Sequence, residues 1–390
     1  MELSQRLVGL TGNDGDGWGV FYRARDMIAH GVDVIELTIG EHDIRTAPVI
    51  LKAMDEAARA GHTGYAAVPG VDDLRRAVAE RVQARTGVET GVENVLITPG
   101  GQAGLFATHA AVCDAGQRAL FIDPYYATYP GTIRGVGGVP VPVAAQAGDG
   151  FEPRAEEIEA AAQGAVSLLI NTPNNPTGVV YSRDTIEAIA RVCQDRDLWL
   201  ISDEVYDTQV WEGTHLSPRA LPGMAERTLV VGSMSKSHAM TGSRVGWVVG
   251  PQEVIEHMIN LATHTTYGVP GYIQDAARFA LAQGPELEEE VGAPFQRRRA
   301  AAKALLSGQN AVQLVPSGGA MYLMLDVRAT GLSGEDFALK LLEDEHIAVM
   351  PGESFGRAAA GHVRVAMTVE DSLFEDALQR LVRFAQKVAQ

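Results

Sequence analysis

Cysteine, lysine and long apolar runs are all scarce in this chain of 390 residues. The two cysteines, Cys113 and Cys193, have no ligand spacing. Neither a disulfide framework nor a cysteine-based metal site therefore organises the fold, and core or near-surface thiols in predicted helices and a reduced compartment are the natural reading. No apolar run approaches the roughly 18 residues that span a membrane, and Met1 to Arg6 lack the basic start and apolar stretch of a secretory leader. Basic charge is also in deficit, 32 Lys and Arg against 49 Asp and Glu, for a net charge of −17. That excludes an electrostatic footprint for nucleic acid or an anionic membrane. The expectation is a soluble, cytoplasmic protein. With 46% hydrophobic residues, the chain is long enough for a large core and two or more domains.

The shortage of lysine is informative. There are five (Lys52, Lys236, Lys303, Lys340 and Lys387) against 27 arginines. Lys236 stands in Ser233-Met234-Ser235-Lys236-Ser237, with Arg244 further on. Thr228 to Gly232 before it and Arg244 to Gly250 after it read as buried strands, so Lys236 occupies a turn where packing gives a flexible charged chain no role. It is a candidate for amine chemistry.

The periodicity gives the surroundings. The run from Gly12 to Gly17 is turn-rich. Helical spacing predicts helices over 21–30, 47–60 and 72–84. From about residue 92, apolar runs at 95–98, 119–122, 166–170 and 198–201 alternate with helices over 102–115, from about 126, over 155–162 and over 183–195. Val139-Pro140-Val141-Pro142-Val143 is extended, and its prolines demote it to a sheet edge. Continuous apolar strands separated by helices predict a mostly parallel sheet covered on both faces, with ligands beyond the strands' carboxyl ends. Residues 251–307 read as helical, broken near Gly268-Pro270 and Gly284-Pro285. Strands at 321–325, 347–349 and 363–366, with helices over 334–343 and from about 370, predict a smaller α+β unit. The expected division is an arm and part of the small domain at 1–40, a large domain at 41–289 and a small domain at 290–390.

Polar groups gather at the predicted strand ends. Asn171-Thr172-Pro173-Asn174-Asn175-Pro176-Thr177-Gly178 reads equally as a tight turn and as a rigid presentation of amides. Asp203, after the next strand, suits a helix N-cap or a buried carboxylate facing a heterocyclic nitrogen. Tyr206 follows it by three residues. Thr98-Pro99-Gly100-Gly101-Gln102 opens a helix, where free N–H groups suit a phosphate, although helix packing explains the glycines equally well. Ser233, Ser235 and Arg244 add hydroxyls and a guanidinium. Tyr125, Tyr126 and Tyr129 follow another strand, where such rings are most often core and one could stack on a planar ligand. Together the lysine, the carboxylate, the ring-oxygen partners, the stacking ring and the phosphate cup describe pyridoxal phosphate.

These residues resemble the class I/II aminotransferase family of fold-type I pyridoxal-phosphate enzymes over about 30–370. The motifs are Gly40-Glu41, Gly64-Tyr65 with Gly70 and Leu74-Arg75, Thr98 to Gly101, Asp123-Pro124 with Tyr126 and Tyr129, and Asn174 to Gly178. Asp203-Glu204 with Tyr206, Ser233 to Lys236, Arg244-Val245-Gly246 and Arg364-Val365 complete the set. The resemblance implies an α/β fold with a mostly parallel sheet sandwiched by helices. It implies a ping-pong transfer of an amino group between an amino acid and a 2-oxo acid. Lys236 would form the internal aldimine and, once displaced, carry the proton. Asp203 would pair with the ring nitrogen, Asn175 and Tyr206 with the ring oxygen, and Tyr126 would stack. Gly100, Gly101, Gln102, Ser233, Ser235 and Arg244 would surround the phosphate, with Tyr65 reaching it from the neighbouring subunit of a homodimer. Gly40, Asn175 and Arg364 would meet the substrate. His42, Asp43 and Ile44 stand where the family usually has proline and an aromatic nearby, and the roles of His42, Arg23 and Arg45 are open.

Three rival readings are weaker. A carbon–sulfur lyase of the same fold usually carries histidine where Asn174 stands. A cofactor-sensing regulator needs a DNA-binding module and a basic face. Ser-x-x-Lys acyl-enzymes also want Ser-Asp-Asn and Lys-Thr-Gly, and here only Ser202-Asp203-Glu204 exists.

Overall fold

The computed structural model describes residues 1–12 and 17–389. Residues 13–16 of the expected turn-rich run lie outside the described residues. Among the described residues, twelve strands form two sheets: β1 (Ile35–Leu37), β2 (Val95–Thr98), β3 (Arg118–Asp123), β4 (Val139–Ala144), β5 (Ala165–Asn171), β6 (Trp199–Asp203), β7 (Thr228–Ser233), β8 (Gly246–Val249), β9 (Gln313–Leu314), β10 (Tyr322–Asp326), β11 (Ile347–Pro351) and β12 (His362–Ala366).

The larger sheet has the order β2-β8-β7-β6-β5-β3-β4. Its strands are parallel except β8, which runs against both neighbours. The segment between β7 and β8 holds only short helical turns, too little for the crossover that a parallel return needs. Leu168, Leu200, Leu229 and Val248 are fully buried, because helices cover both faces of the sheet. The proline-bearing β4 is at the edge, as its two missing N–H groups require. The smaller sheet has the order β1-β11-β12-β10-β9, so an early strand pairs with the late part of the chain.

Some limits differ from expectation. The helix expected from Gln102 begins at Gly100 and ends at Val112, leaving Cys113 extended just beyond it. The helix expected from Tyr126 begins at Tyr129, where Pro130 sits in the first turn and its fixed φ favours the start. The expected limit at 289/290 falls inside the continuous helix Glu286–Leu306, which starts at the Gly284-Pro285 break. Lys236 lies in a one-turn helix, Met234–Ser237. No helix among the described residues is long and apolar enough to cross a membrane.

Candidate active site

Strand direction explains where the site forms. The parallel strands β5, β6 and β7 end side by side at Asn171, Asp203 and Ser233, and the antiparallel β8 begins beside them at Gly246. The helix Gly100–Val112 starts at the same edge, directing its unpaired first N–H groups there. Arg364 of β12 and Tyr322 of β10 face this edge from the smaller sheet, and Gly40 follows β1. The result is a cavity of about 310 Å³ lined by residues of both sheets.

The cavity brings together most of the expected residues: Gly40, Gly101, Gln102, Tyr126, Asn175, Asp203, Tyr206, Ser233, Ser235, Lys236, Arg244 and Arg364. Gly100 stands just behind, with φ +77, and a Cβ there would collide with the Arg244 guanidinium. The left-handed φ, more than contact with a movable guanidinium, favours glycine here. Tyr65 is not brought in: it is 93% exposed, with its ring 5.2 Å from that of Tyr267. Arg23 pairs with Asp26 at 3.6 Å on the surface, and Arg45 lines a separate depression beside Arg297.

Asp203 is buried, and its Oδ2 accepts the Tyr129 hydroxyl at 2.7 Å. Burial pushes its carboxyl up to about 6, against the lowering effect of the Tyr129 bond. The Asn-Pro loop is held by its own amides. Asn171 donates to the Asp203 carbonyl at 2.9 Å and accepts from the Asn175 N–H at 2.7 Å, while Asn174 Oδ1 accepts the Thr177 hydroxyl at 2.7 Å. Turn chemistry and rigid presentation are therefore one arrangement. The Tyr206 and Tyr322 hydroxyls lie 3.1 Å apart.

Lys236 Nζ donates to the Gly40 carbonyl, and burial holds its ammonium below the usual lysine range. Ser233 Oγ donates to Ser235 Oγ at 3.0 Å. Arg364 is 2% exposed and lies between the rings of Tyr322 and Phe355, at 4.4 and 4.3 Å. Its Nη1 donates to Asn175 Oδ1 at 2.8 Å and its Nη2 to the Thr38 carbonyl. A guanidinium fixed this way recognises a carboxylate by geometry as well as by charge.

Sequence reasoning gave no role to Tyr322 or Phe355, and named Tyr129 as a motif member and one of three candidate stacking rings without linking it to Asp203. The spacing of Tyr126 and Tyr129 could have signalled a shared side, since residues three apart face one way on a helical turn. Nothing local marks Tyr322 or Phe355, which meet Arg364 through the packing of distant strands. His42, whose role the sequence leaves open, stands behind the cavity. It is absent from the cavity lining, and its Nε2 faces the Lys236 carbonyl at 3.0 Å. Among the described residues, no group of three or more His, Cys, Asp or Glu could hold a metal ion.

Comparisons with known proteins agree with this arrangement. The family model for aminotransferase class I and II matches residues 32–381. An arginine–pyruvate transaminase of Pseudomonas aeruginosa is 39% identical over 390 residues, covering 100% of this chain and 99% of that protein. An aspartate/prephenate aminotransferase of Thermus thermophilus is 35% identical over 368 residues, covering 93% of each. A solved structure of aspartate aminotransferase from Thermus thermophilus with maleate superposes with a TM-score of 0.92 at 33% identity, covering 98% of this chain and 100% of that one. With a lysine, a carboxylate and a fixed arginine meeting at the strand ends of the matching fold, the chain is an aminotransferase and belongs to the class I and II family.

Proposed function

We propose that the cavity binds pyridoxal 5′-phosphate and transfers an amino group from an L-amino acid to a 2-oxo acid by a ping-pong route. The observation that carries this reading is Lys236 Nζ inside a cavity that also holds the buried carboxylate of Asp203. The residues fit the cofactor. The helix start at Gly100, the Ser233 and Ser235 hydroxyls and Arg244 form a donor-rich cradle that a Cβ at Gly100 would fill, with Gly101 and Gln102 on its rim. Asp203 suits a protonated ring nitrogen, Asn175 and Tyr206 a ring oxygen, and Tyr126 a ring face. The cofactor supplies an electron sink for the charge that develops when the donor's α-proton leaves.

The chain's own residues do the rest. Arg364 binds the α-carboxylate, with Asn175 and the two aromatic rings fixing its fork and Gly40 lining the same side. Lys236 Nζ would hold the cofactor when it is bound, and as a free amine it would take the α-proton. Its lowered basicity, caused by burial, favours the free amine needed for that step. Asp203 would hold the cofactor's ring nitrogen in its positive form, and the Tyr206 hydroxyl would orient the ring. The exposed Tyr65 is available to a second copy of the chain, in a homodimer with shared sites that works in the cytoplasm.

The charges also bear on the donor. The cations lining the cavity are Lys236, Arg244 and Arg364, each already used, while Gln102 is neutral and held by Thr128 and Thr132 at 3.0 and 2.8 Å. Glu41 lines the same cavity. This favours a neutral or cationic side chain, as in the arginine–pyruvate relative, over the acidic donor of the aspartate relatives. The test is a half-reaction screen: mix the holoenzyme with arginine, alanine, leucine or aspartate and follow the near-visible absorbance. Arginine or a neutral amino acid should convert the cofactor to its amine form, with aspartate slowest. Release of ammonia without that conversion would indicate a lyase, and a preference for aspartate would place a further cation from the neighbouring copy in the cavity.

Arg364→Ala is expected to lower kcat/KM about 100-fold for every amino acid alike, chiefly through KM, because it removes a carboxylate contact common to all. Steady-state kinetics on three donors checks this. A loss confined to one donor would assign Arg364 to side-chain recognition.

A further inference from the structure

The Lys236 carbonyl receives two side-chain donors, and neither belongs to the cavity lining. His42 Nε2 lies 3.0 Å from it and Gln209 Nε2 lies 3.1 Å from it. The backbone creates the need. Met234–Ser237 is a single turn, and carbonyls at a helix end lack intrahelical partners. The chain leaves this turn with Ala239 at φ +51, and the Met240 N–H returns to the Met234 carbonyl at 3.4 Å. Thr46 Oγ1 takes the Ala239 carbonyl at 2.6 Å. The Lys236 carbonyl is met instead from two other directions, by the loop after β1 and by the segment after β6.

Both donors are held in one orientation. Gln209 is 1% exposed, and only its amide nitrogen can bond a carbonyl, so its Oε1 is left buried without a partner among the described residues. Leucine would fill a similar volume and leave no orphan oxygen. A glutamine there costs stability, which points to work done by its donor. His42 must likewise carry its proton on Nε2, and its Nδ1 is buried without a partner among the described residues. Its ring sits edge-on to Phe295 at 5.4 Å. Burial pushes its imidazolium down to about 4, which leaves it a neutral, single-tautomer donor near pH 7.

We propose that His42 and Gln209 are positioning residues that clamp the main chain of Lys236, so that the amine alone moves between holding the cofactor and carrying the proton. This rests on the assignment of Lys236 above. A shift of the base on the order of 1 Å can cost up to about 100-fold in rate, which gives such a clamp a measurable function.

Four holoenzymes test it: His42→Phe, Gln209→Leu, the double variant and His42→Gln, which keeps a donor. His42→Phe and Gln209→Leu should each lower the half-reaction kcat by about tenfold with KM for the amino acid within about twofold. Both should shift the pH midpoint of the near-visible band by about half a unit. Because both donors act on one atom, the double variant should fall short of the product of the singles. His42→Gln should restore most of the rate, and Gln209→Leu should melt no lower than the parent as apoprotein. Unchanged kcat and midpoint in both single variants overturn the proposal. So does a loss that tracks melting temperature or cofactor content, with the loaded fraction turning over at the parental rate. If Lys236→Ala keeps the near-visible band, the assignment of Lys236 fails and the clamp falls with it. A failed clamp leaves parental transamination and its spectrum intact.

Discussion

Lys236→Ala is expected to abolish turnover, by on the order of 10⁵-fold or more, and to remove the near-visible absorbance of bound cofactor. On the proposed assignment two roles are lost together, because one amine would both hold the cofactor and move the α-proton. No neighbour can substitute. The other cations in the cavity are Arg244 and Arg364, and a guanidinium stays protonated and is no base near neutral pH. The fold should survive, since among the described residues the Lys236 side chain makes no ion pair and donates its hydrogen bond to the Gly40 carbonyl. Circular dichroism and melting temperature should therefore stay near the parental values while spectrum and activity vanish. A small added amine should restore part of the proton transfer. A retained near-visible band would end this assignment.

The parts that could be read from the chain share one property: their signal is local. β5, β6 and β7 are continuous apolar runs because both faces of the large sheet are covered, and each ends at a polar residue that the parallel direction carries to one edge. Asn171, Asp203 and Ser233 could therefore be placed together before any coordinates. The edge position of β4 was legible for the same reason, since Pro140 and Pro142 lack the N–H that a central strand needs. Contacts set by tertiary packing were not legible. Arg364 is held by Thr38, Asn175, Tyr322 and Phe355, drawn from four separate stretches of chain. β9 has two residues, too few for an alternation to show. His42 was noticed as a departure from a family pattern, but the direction of its ring depends on the Lys236 turn, which no spacing in its own segment reports. Gln209 gave no signal at all.

Asp203→Asn is expected to lower kcat by on the order of 10³-fold while leaving the near-visible band in place. The shape of the side chain is kept and the charge is lost, so on the proposed assignment the cofactor would still be held by Lys236 and the phosphate cradle. What fails is the positive charge on the ring nitrogen, and with it the stabilisation of developing negative charge at the α-carbon. A cofactor whose ring nitrogen carries a permanent methyl group and positive charge should recover activity in the variant. Retained activity in Asp203→Asn would mean that the ring nitrogen is neutralised by other means. The apoprotein provides an independent check. In the fold the Asp203 carboxyl is raised to about 6 by burial, above its ordinary value near 3.8. The folded state thus binds more protons than the unfolded state between those values, so this group's contribution to stability is full below about pH 4 and lost as pH rises through about 6. Apoprotein with Asp203→Asn lacks this term, so the parent's melting temperature should fall relative to the variant's across that window. The bound cofactor should reverse the trend, because its positive ring nitrogen stabilises the ionised carboxylate. A parental apoprotein whose melting curve matches the variant's at pH 4, 5 and 6 would show that Asp203 is already ionised without a cationic partner.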